Sequence, residues 1–155
     1  NMMSKKGFEL YEVSNYAKPD AYCRHNLIYW NSQDWLGIGP GAHGRFTLPK
    51  NRRWHGQTRR SPEGWLNAIQ DNQHGVDIHN EDDEAEFVRE IILMGLRLSS
   101  GINMPDWVFE KDTLINSNWL KQFKEDNLIS LQRNHIKVTP KGRLHLNSII
   151  SKLLN

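Results

Sequence analysis

Leu128-Ile129-Ser130-Leu131-Gln132-Arg133-Asn134-His135-Ile136-Lys137-Val138 carries the clearest fold signal in the chain. Leu128 and Ser130 alternate with Ile129 and Leu131, a period of two that suits a strand, and Arg133-Asn134 supplies a turn before Ile136-Lys137-Val138. A β-hairpin is therefore expected here. Thr139-Pro140 then caps a helix expected to run through Leu154. Upstream, Pro105 to Glu110 and Ser117 to Asp126 read as two helices, so the C-terminal order is helix, helix, hairpin, helix, which is winged-helix-like.

Moving further toward the N-terminus, the acidic run Glu81-Asp82-Asp83-Glu84 sits at the positive dipole end of a helix carrying Phe87, Val88, Ile91, Ile92, Met94, Leu96 and Leu98. So much apolar surface places that helix at the centre of the second half, and Gly101 is a natural stop. Ser61-Pro62-Glu63 starts another helix, with an N-cap, a first-turn proline and an early acid ahead of Trp65, Leu66 and Ile69. Asp71 to Asn80 reads as a polar link.

The first sixty residues read as strands. Gly7 to Val13 alternates large residues with carboxylates, as a strand with one wetter face should. Asn26 to Trp30 is a second short apolar run, and Trp35-Leu36-Gly37-Ile38-Gly39 a third, whose glycines imply close approach of another group to the backbone. Arg45 to Leu48 and Trp54 to Thr58 flank a basic loop, Pro49-Lys50-Asn51-Arg52-Arg53.

Bulk properties narrow the function. A chain of 155 residues buries one ordinary core or two small ones without staples. Twenty basic against 18 acidic residues leave a net charge of +2, too balanced to make nucleic acid or anionic lipid the default partner. The single cysteine, Cys23, rules out an internal disulfide and a thiolate-held iron–sulfur cluster within this sequence, and it suits a reducing cytosol. No apolar run approaches the ~20 residues of a membrane helix, and no signal-peptide core follows the first residues. No Ser-His-Asp set, paired catalytic carboxylates or His-Glu-x-x-His helix is present.

Three constellations remain. Cys23-Arg24-His25-Asn26-Leu27-Ile28-Tyr29-Trp30 places a thiol, an imidazole and two aromatic rings in one short segment. This set suits a haem, with His25 the preferred iron ligand, Cys23 the second choice, and Tyr29 and Trp30 covering the porphyrin. Judged by residue type alone, a histidine satisfying a backbone group beside core Cys23 and Trp30 is the commoner outcome. Gly37-Ile38-Gly39-Pro40-Gly41-Ala42-His43-Gly44 would let a main chain pass close to a cofactor at Gly37, Ile38, Gly39 and Gly41, although a tight turn explains it as well. It fits neither the dinucleotide fingerprint nor a phosphate loop. Arg52, Arg53, Arg59 and Arg60 suit porphyrin propionates, or a solvated loop.

Three ordered strings, Tyr11-Glu12-Val13-Ser14-Asn15-Tyr16-Ala17-Lys18-Pro19, Cys23 to Trp30, and Leu36 to Gly44, resemble the HemW family. This family comprises haem-handling, radical-SAM relatives of the oxygen-independent coproporphyrinogen III dehydrogenases. Met94-Gly95-Leu96-Arg97-Leu98 and Val138-Thr139-Pro140-Lys141-Gly142-Arg143-Leu144 look like the C-terminal domain that both groups share. The resemblance implies an α/β (α+β) fold. Residues 1–60 would be the terminal strands of a truncated radical-SAM barrel, 61–80 a helix and linker, and 81–155 a winged-helix-like C-terminal domain. The family's His-Asn-x-x-Tyr-Trp motif, associated with haem binding, falls on His25, Asn26, Tyr29 and Trp30. Leu27 and Ile28 depart from the dehydrogenases' glutamine and glycine, which favours haem chaperone over porphyrinogen oxidation. Asp20 stands where the family commonly has a glycine.

The resemblance also implies a C-terminal fragment that is itself non-catalytic, from a protein that binds haem and delivers it to haem-requiring acceptors, respiratory ones among them, in the cytoplasm. A [4Fe–4S] cluster and S-adenosylmethionine belong to the full-length protein only, because the Cys-x-x-x-Cys-x-x-Cys ligands have no counterpart here. The lost barrel half would be a partner and leave an open strand edge, which would allow a homodimer. Membrane association would be peripheral and through the acceptor. The alternatives are anaerobic coproporphyrinogen III oxidation by the full-length protein and a DNA-binding winged helix. The latter is disfavoured because Ser117 to Asp126 sets Glu125 and Asp126 against Lys121 and Lys124.

Overall fold

The computed structural model describes residues 2–50, 52–111 and 115–155. Asn51, part of the expected basic loop, lies outside the described residues. The chain divides into two compact units, one formed by Asn1–Ser32 with Val88–Asn155 and the other by Gln33–Phe87. Helices and strands are mixed, and neither of the larger sheets closes into a barrel among the described residues.

The first unit opens with α1 (Met2–Lys5), then β1 (Glu9–Leu10) pairs antiparallel with β2 (Tyr16–Ala17). The expected strand over Gly7 to Val13 is thus short. Its carboxylate Glu12, assigned by alternation to the wetter face, is instead 1% exposed. Glu12 forms a backbone bridge with Leu98 and accepts hydrogen bonds from the backbone N–H and hydroxyl of Ser14. The turn after β2 carries Asp20 at φ 64, left-handed backbone in which a glycine is at ease.

Asn26 to Trp30 is helix, correcting the expected strand: α2 covers Arg24–Trp30, with Cys23 as N-cap. A run this short has no decisive periodicity, and tertiary burial chooses. Leu27 and Trp30, three apart, pack against the core.

That core gathers on α4 (Glu84–Gly95), β6 (Ile102–Asn103), α5 (Asp106–Phe109), α6 (Ser117–Glu125), β7 (Ile129–Gln132), β8 (His135–Val138) and α7 (Leu146–Leu153). The strand order is β6-β8-β7, all antiparallel, with Ile136 opposite both Ile102 and Leu131. The hairpin forms where expected, with Arg133 at φ 53, and Asn134 donates to the Met104 carbonyl at 2.8 Å and to Asp106 at 3.0 Å. In α7, Leu146, Ile149, Ile150 and Leu153 are all buried, each worth about 1.5–3 kcal/mol of transfer free energy. The last helix is interrupted where continuity was expected, with a 3₁₀ turn at Gly142–His145 preceding α7. Thr139 caps this turn by accepting from the Gly142 N–H at 3.0 Å, and a Cβ at 142 would overlap the Leu128 carbonyl.

In the second unit β3 (His43–Leu48), β4 (Arg52–Thr58) and β5 (Val76–Asp82) form an antiparallel sheet with β4 central. α3 (Pro62–Asn72) starts as its sequence dictates, the Ser61 hydroxyl accepting from the Gly64 N–H at 3.0 Å. β5 replaces the expected polar link. Its residues Asp77 to Glu81 are exposed on both faces, so the hydrophobic alternation that marks a strand is missing. Glu81 and Asp82 consequently end a strand, and Asp83 alone caps α4, accepting from the N–H groups of Ala85 and Glu86 at 2.9 and 3.0 Å.

Trp35 to Gly39 is also not a regular strand. Trp35 makes a single bridge with Arg45, while Leu36 and Ile38 are exposed and Gly39 turns at φ 100.

Candidate functional site

α2 divides the residues of the expected haem set between two faces, because a step of four returns close to one side of a helix and a step of one turns about 100° away from it. His25 and Tyr29 share the outer face. The His25 ring is exposed, its Nε2 lies 3.4 Å from the Tyr29 hydroxyl, and the two rings meet edge to face at 4.8 Å. Cys23 is a free, exposed thiol at the N-cap of the same helix. Asn26 and Trp30 turn the other way. The Asn26 amide donates to the Tyr11 hydroxyl at 3.4 Å, and Trp30 packs on the hydrophobic core with its Nε1 buried and without a hydrogen-bond partner among the described residues. His25 and Tyr29 are thus presented together, with Cys23 exposed at the start of the same helix, whereas Trp30 is placed as a core residue.

On the inner side of α2 lies a cleft of about 400 Å³, lined by Tyr11, Tyr22, Leu27 and Asn31 with Leu98 to Ser100. Tyr11 and Tyr22 stack with centroids 4.9 Å apart. The Tyr22 hydroxyl donates to Glu9 at 2.8 Å, and that bond to a carboxylate raises its pKa above the usual tyrosine value, burial and the charge itself adding to the effect. Sequence reasoning missed this cleft, since its walls come from four separate stretches of chain.

In the other unit the glycine loop serves the chain itself. A Cβ at Gly37 would overlap the His43 carbonyl, Gly41 turns at φ 70 with its N–H donating to the Arg59 carbonyl at 2.8 Å, and Thr58 Oγ1 donates to the Gly39 carbonyl at 2.6 Å. The close approach expected from the glycines is real and intramolecular. Ile38, 84% exposed, is the member of the loop that offers apolar surface.

Of the arginine cluster, Arg53 alone is buried, while Arg52, Arg59 and Arg60 are exposed. Arg53 is fully buried, donates to the Gln33 carbonyl at 2.9 Å, lies 3.9 Å from Asp34, and stands over the rings of Trp35 and Phe87. Arg52 pairs with Glu81, and Arg59 with Asp77 at 3.6 Å. Asp82 takes His55 Nδ1 at 3.0 Å and Arg45 at 3.9 Å. Glu81, Asp77 and Asp82 all belong to β5, the strand the sequence concealed. No cluster of three or more His, Cys, Asp or Glu able to hold a metal ion occurs among the described residues.

The class emerges from comparison with known proteins. Residues 82–145 match the family described as the HemN C-terminal domain. The fold is similar to that of coproporphyrinogen III oxidase (HemN) from Escherichia coli, a radical-SAM enzyme, with a TM-score of 0.63 and 14% identity over 97% of this chain and 38% of that one. The chain is 32% identical over 164 residues to the mitochondrial radical S-adenosyl methionine domain-containing protein 1 of Bos taurus, covering 99% of this chain and 37% of that protein. Heme chaperone HemW of Synechocystis is 30% identical over 177 residues, covering 98% of this chain and 41% of its own length. HemW of Escherichia coli is 43% identical over 65 residues, 42% of this chain and 17% of that protein. Nearly all of this chain is similar to heme chaperone HemW and to the mitochondrial radical S-adenosyl methionine domain-containing protein 1, and it spans well under half the length of these relatives. Among the described residues, no helix is long and apolar enough to cross a membrane.

Proposed function

We propose that this chain is the haem-contacting C-terminal part of a cytoplasmic protein that carries haem to haem-requiring acceptors. The carrying observation is the exposed imidazole of His25 on the outer face of α2, with the Tyr29 ring alongside it. Haem brings an iron that accepts an axial nitrogen and a flat apolar ring that seeks aromatic neighbours. The residues present fit that group: His25 supplies the nitrogen, Cys23 is a second soft donor at the start of the same helix, and Tyr29 supplies an adjacent ring. Asn26 and Trp30 act from behind, fixing α2 through the Tyr11 hydroxyl and the core. The relatives named as haem chaperones support the reading. Any cluster or S-adenosylmethionine chemistry would belong to a longer protein, since Cys23 is the sole cysteine here.

The C-terminal helices and the β6-β8-β7 sheet are best read as a winged helix used for packing. On α6 the apolar face is committed: Leu120 and Phe123 are buried, Trp119 stacks on Phe123, and Lys152 covers Trp119 at 4.7 Å. A major-groove helix would need that surface free.

Haem titration of the chain beside His25→Ala and Cys23→Ser, followed at the Soret band, tests the proposal. Loss of the wild-type spectrum in His25→Ala alone is expected. Identical spectra and affinities in all three proteins would remove α2 as the haem site.

A further inference from the structure

The first unit carries a second concave surface, remote in sequence from α2. One cleft of about 230 Å³ is lined by Val13, Arg97, Arg143 and the Leu144 to Ser148 segment, and another of about 320 Å³ by Arg89, Leu93, Arg97, Ile150 and Leu154 among others. Arg97 and Asn147 line both, so the two clefts are one groove.

Its floor has helical spacing. Arg89, Leu93 and Arg97 succeed one another in steps of four along α4 and the turn after it, and Ile150 and Leu154 do the same on α7 and its C-cap. Three of its apolar residues are open to solvent, with Leu144 85%, Val13 45% and Leu93 42% exposed, while Leu146 and Ile150 are buried. Among the described residues, neither cleft has an aspartate or glutamate in its lining. Arg97 is held at the junction by its own Nε–H, which donates to the Leu93 carbonyl at 3.1 Å.

We infer that this groove docks an acidic amphipathic helix of a partner protein, its leucine-type side chains against Leu93, Leu144 and Leu154 and its carboxylates on Arg97 and Arg143. Charge complementarity selects the occupant: the Arg97 and Arg143 guanidinium groups flanking apolar residues, in a lining without Asp or Glu among the described residues, match a helix with an acidic edge beside an apolar stripe. A membrane surface is a poorer match because the apolar groups line a concavity. This docking is independent of haem binding at α2.

The test is fluorescence anisotropy with a labelled synthetic peptide of about four helical turns, leucines at steps of three and four and glutamates flanking them. Saturable binding is expected, weakened at least ~10-fold in Arg143→Glu and in Arg97→Glu. A peptide with lysines in place of the glutamates should regain affinity for Arg143→Glu, a rescue that misfolded protein cannot give; Arg143→Gln provides a milder second variant. Three results would overturn the inference: equal binding by wild type and all variants, equal binding of a peptide whose leucines are replaced by serine, or anionic vesicles binding with the same arginine dependence while the peptide does not bind.

Discussion

On α2 the Tyr29 hydroxyl stands 3.4 Å from His25 Nε2, one turn away, so the aromatic ring and the candidate iron ligand share a single orientation. The hydroxyl is within hydrogen-bond distance of the nitrogen, while the ring packs against the imidazole edge. Tyr29→Phe should therefore keep haem binding, changing affinity by less than ~10-fold, the scale of one ordinary hydrogen bond. Tyr29→Ala, which also removes the ring, should weaken it further. If Tyr29→Phe and Tyr29→Ala behave alike in the Soret titration, the ring has no role in the site.

Tyr22 provides a pH signature. Its hydroxyl donates to Glu9, so the folded-state pKa lies above the unfolded one. A group raised in this way favours folding fully below the unfolded value near ~10, and that contribution disappears as pH rises through the folded value. Ultraviolet titration of tyrosinate should find Tyr22 ionising late, with Glu9→Gln moving it back toward the ordinary range. An unchanged titration curve in Glu9→Gln would show that the carboxylate is not the cause.

Arg53 is the buried cation of the second unit, held by the Gln33 carbonyl and two aromatic faces. Arg53→Ala removes this donor from the Gln33 carbonyl and the cation beside Asp34 and opens a cavity, for a loss of about 2–4 kcal/mol in urea denaturation. Arg53→Met, which refills the space, should lose less. A change within about 0.5 kcal/mol for Arg53→Ala would mean the guanidinium contributes nothing net.

Two left-handed positions make opposite predictions. Asp20 adopts φ 64, so Asp20→Gly should be neutral or stabilising by up to ~1 kcal/mol, relief of the left-handed backbone being partly offset by extra unfolded-state entropy. Gly101 adopts φ 81, and a Cβ there would overlap the Ile136 carbonyl. Gly101→Ala should cost more than ~2 kcal/mol and lower the thermal midpoint. Equal midpoints for wild type and Gly101→Ala would show that β6 and β8 can separate without penalty.

Local and periodic features were legible in the amino-acid order alone. The 128–138 hairpin, the Ser61-Pro62 helix start and the long apolar helix are visible because neighbouring residues carry the instruction, and the ordered strings around His25 carry the family. Other features were settled by contacts between distant parts of the chain. Asn26 to Trp30 is too short for its spacing to choose helix over strand, and the core beneath Leu27 and Trp30 made that choice, turning His25 and Tyr29 outward. β5 lacks an apolar face, so it becomes a strand only because β4 offers hydrogen bonds, and arginines to its carboxylates. Glu12 and Arg53 are charged residues that reading by type places in water. Their burial depends on contacts supplied by the fold, the bridge to Leu98 for one and Gln33 with Asp34 for the other.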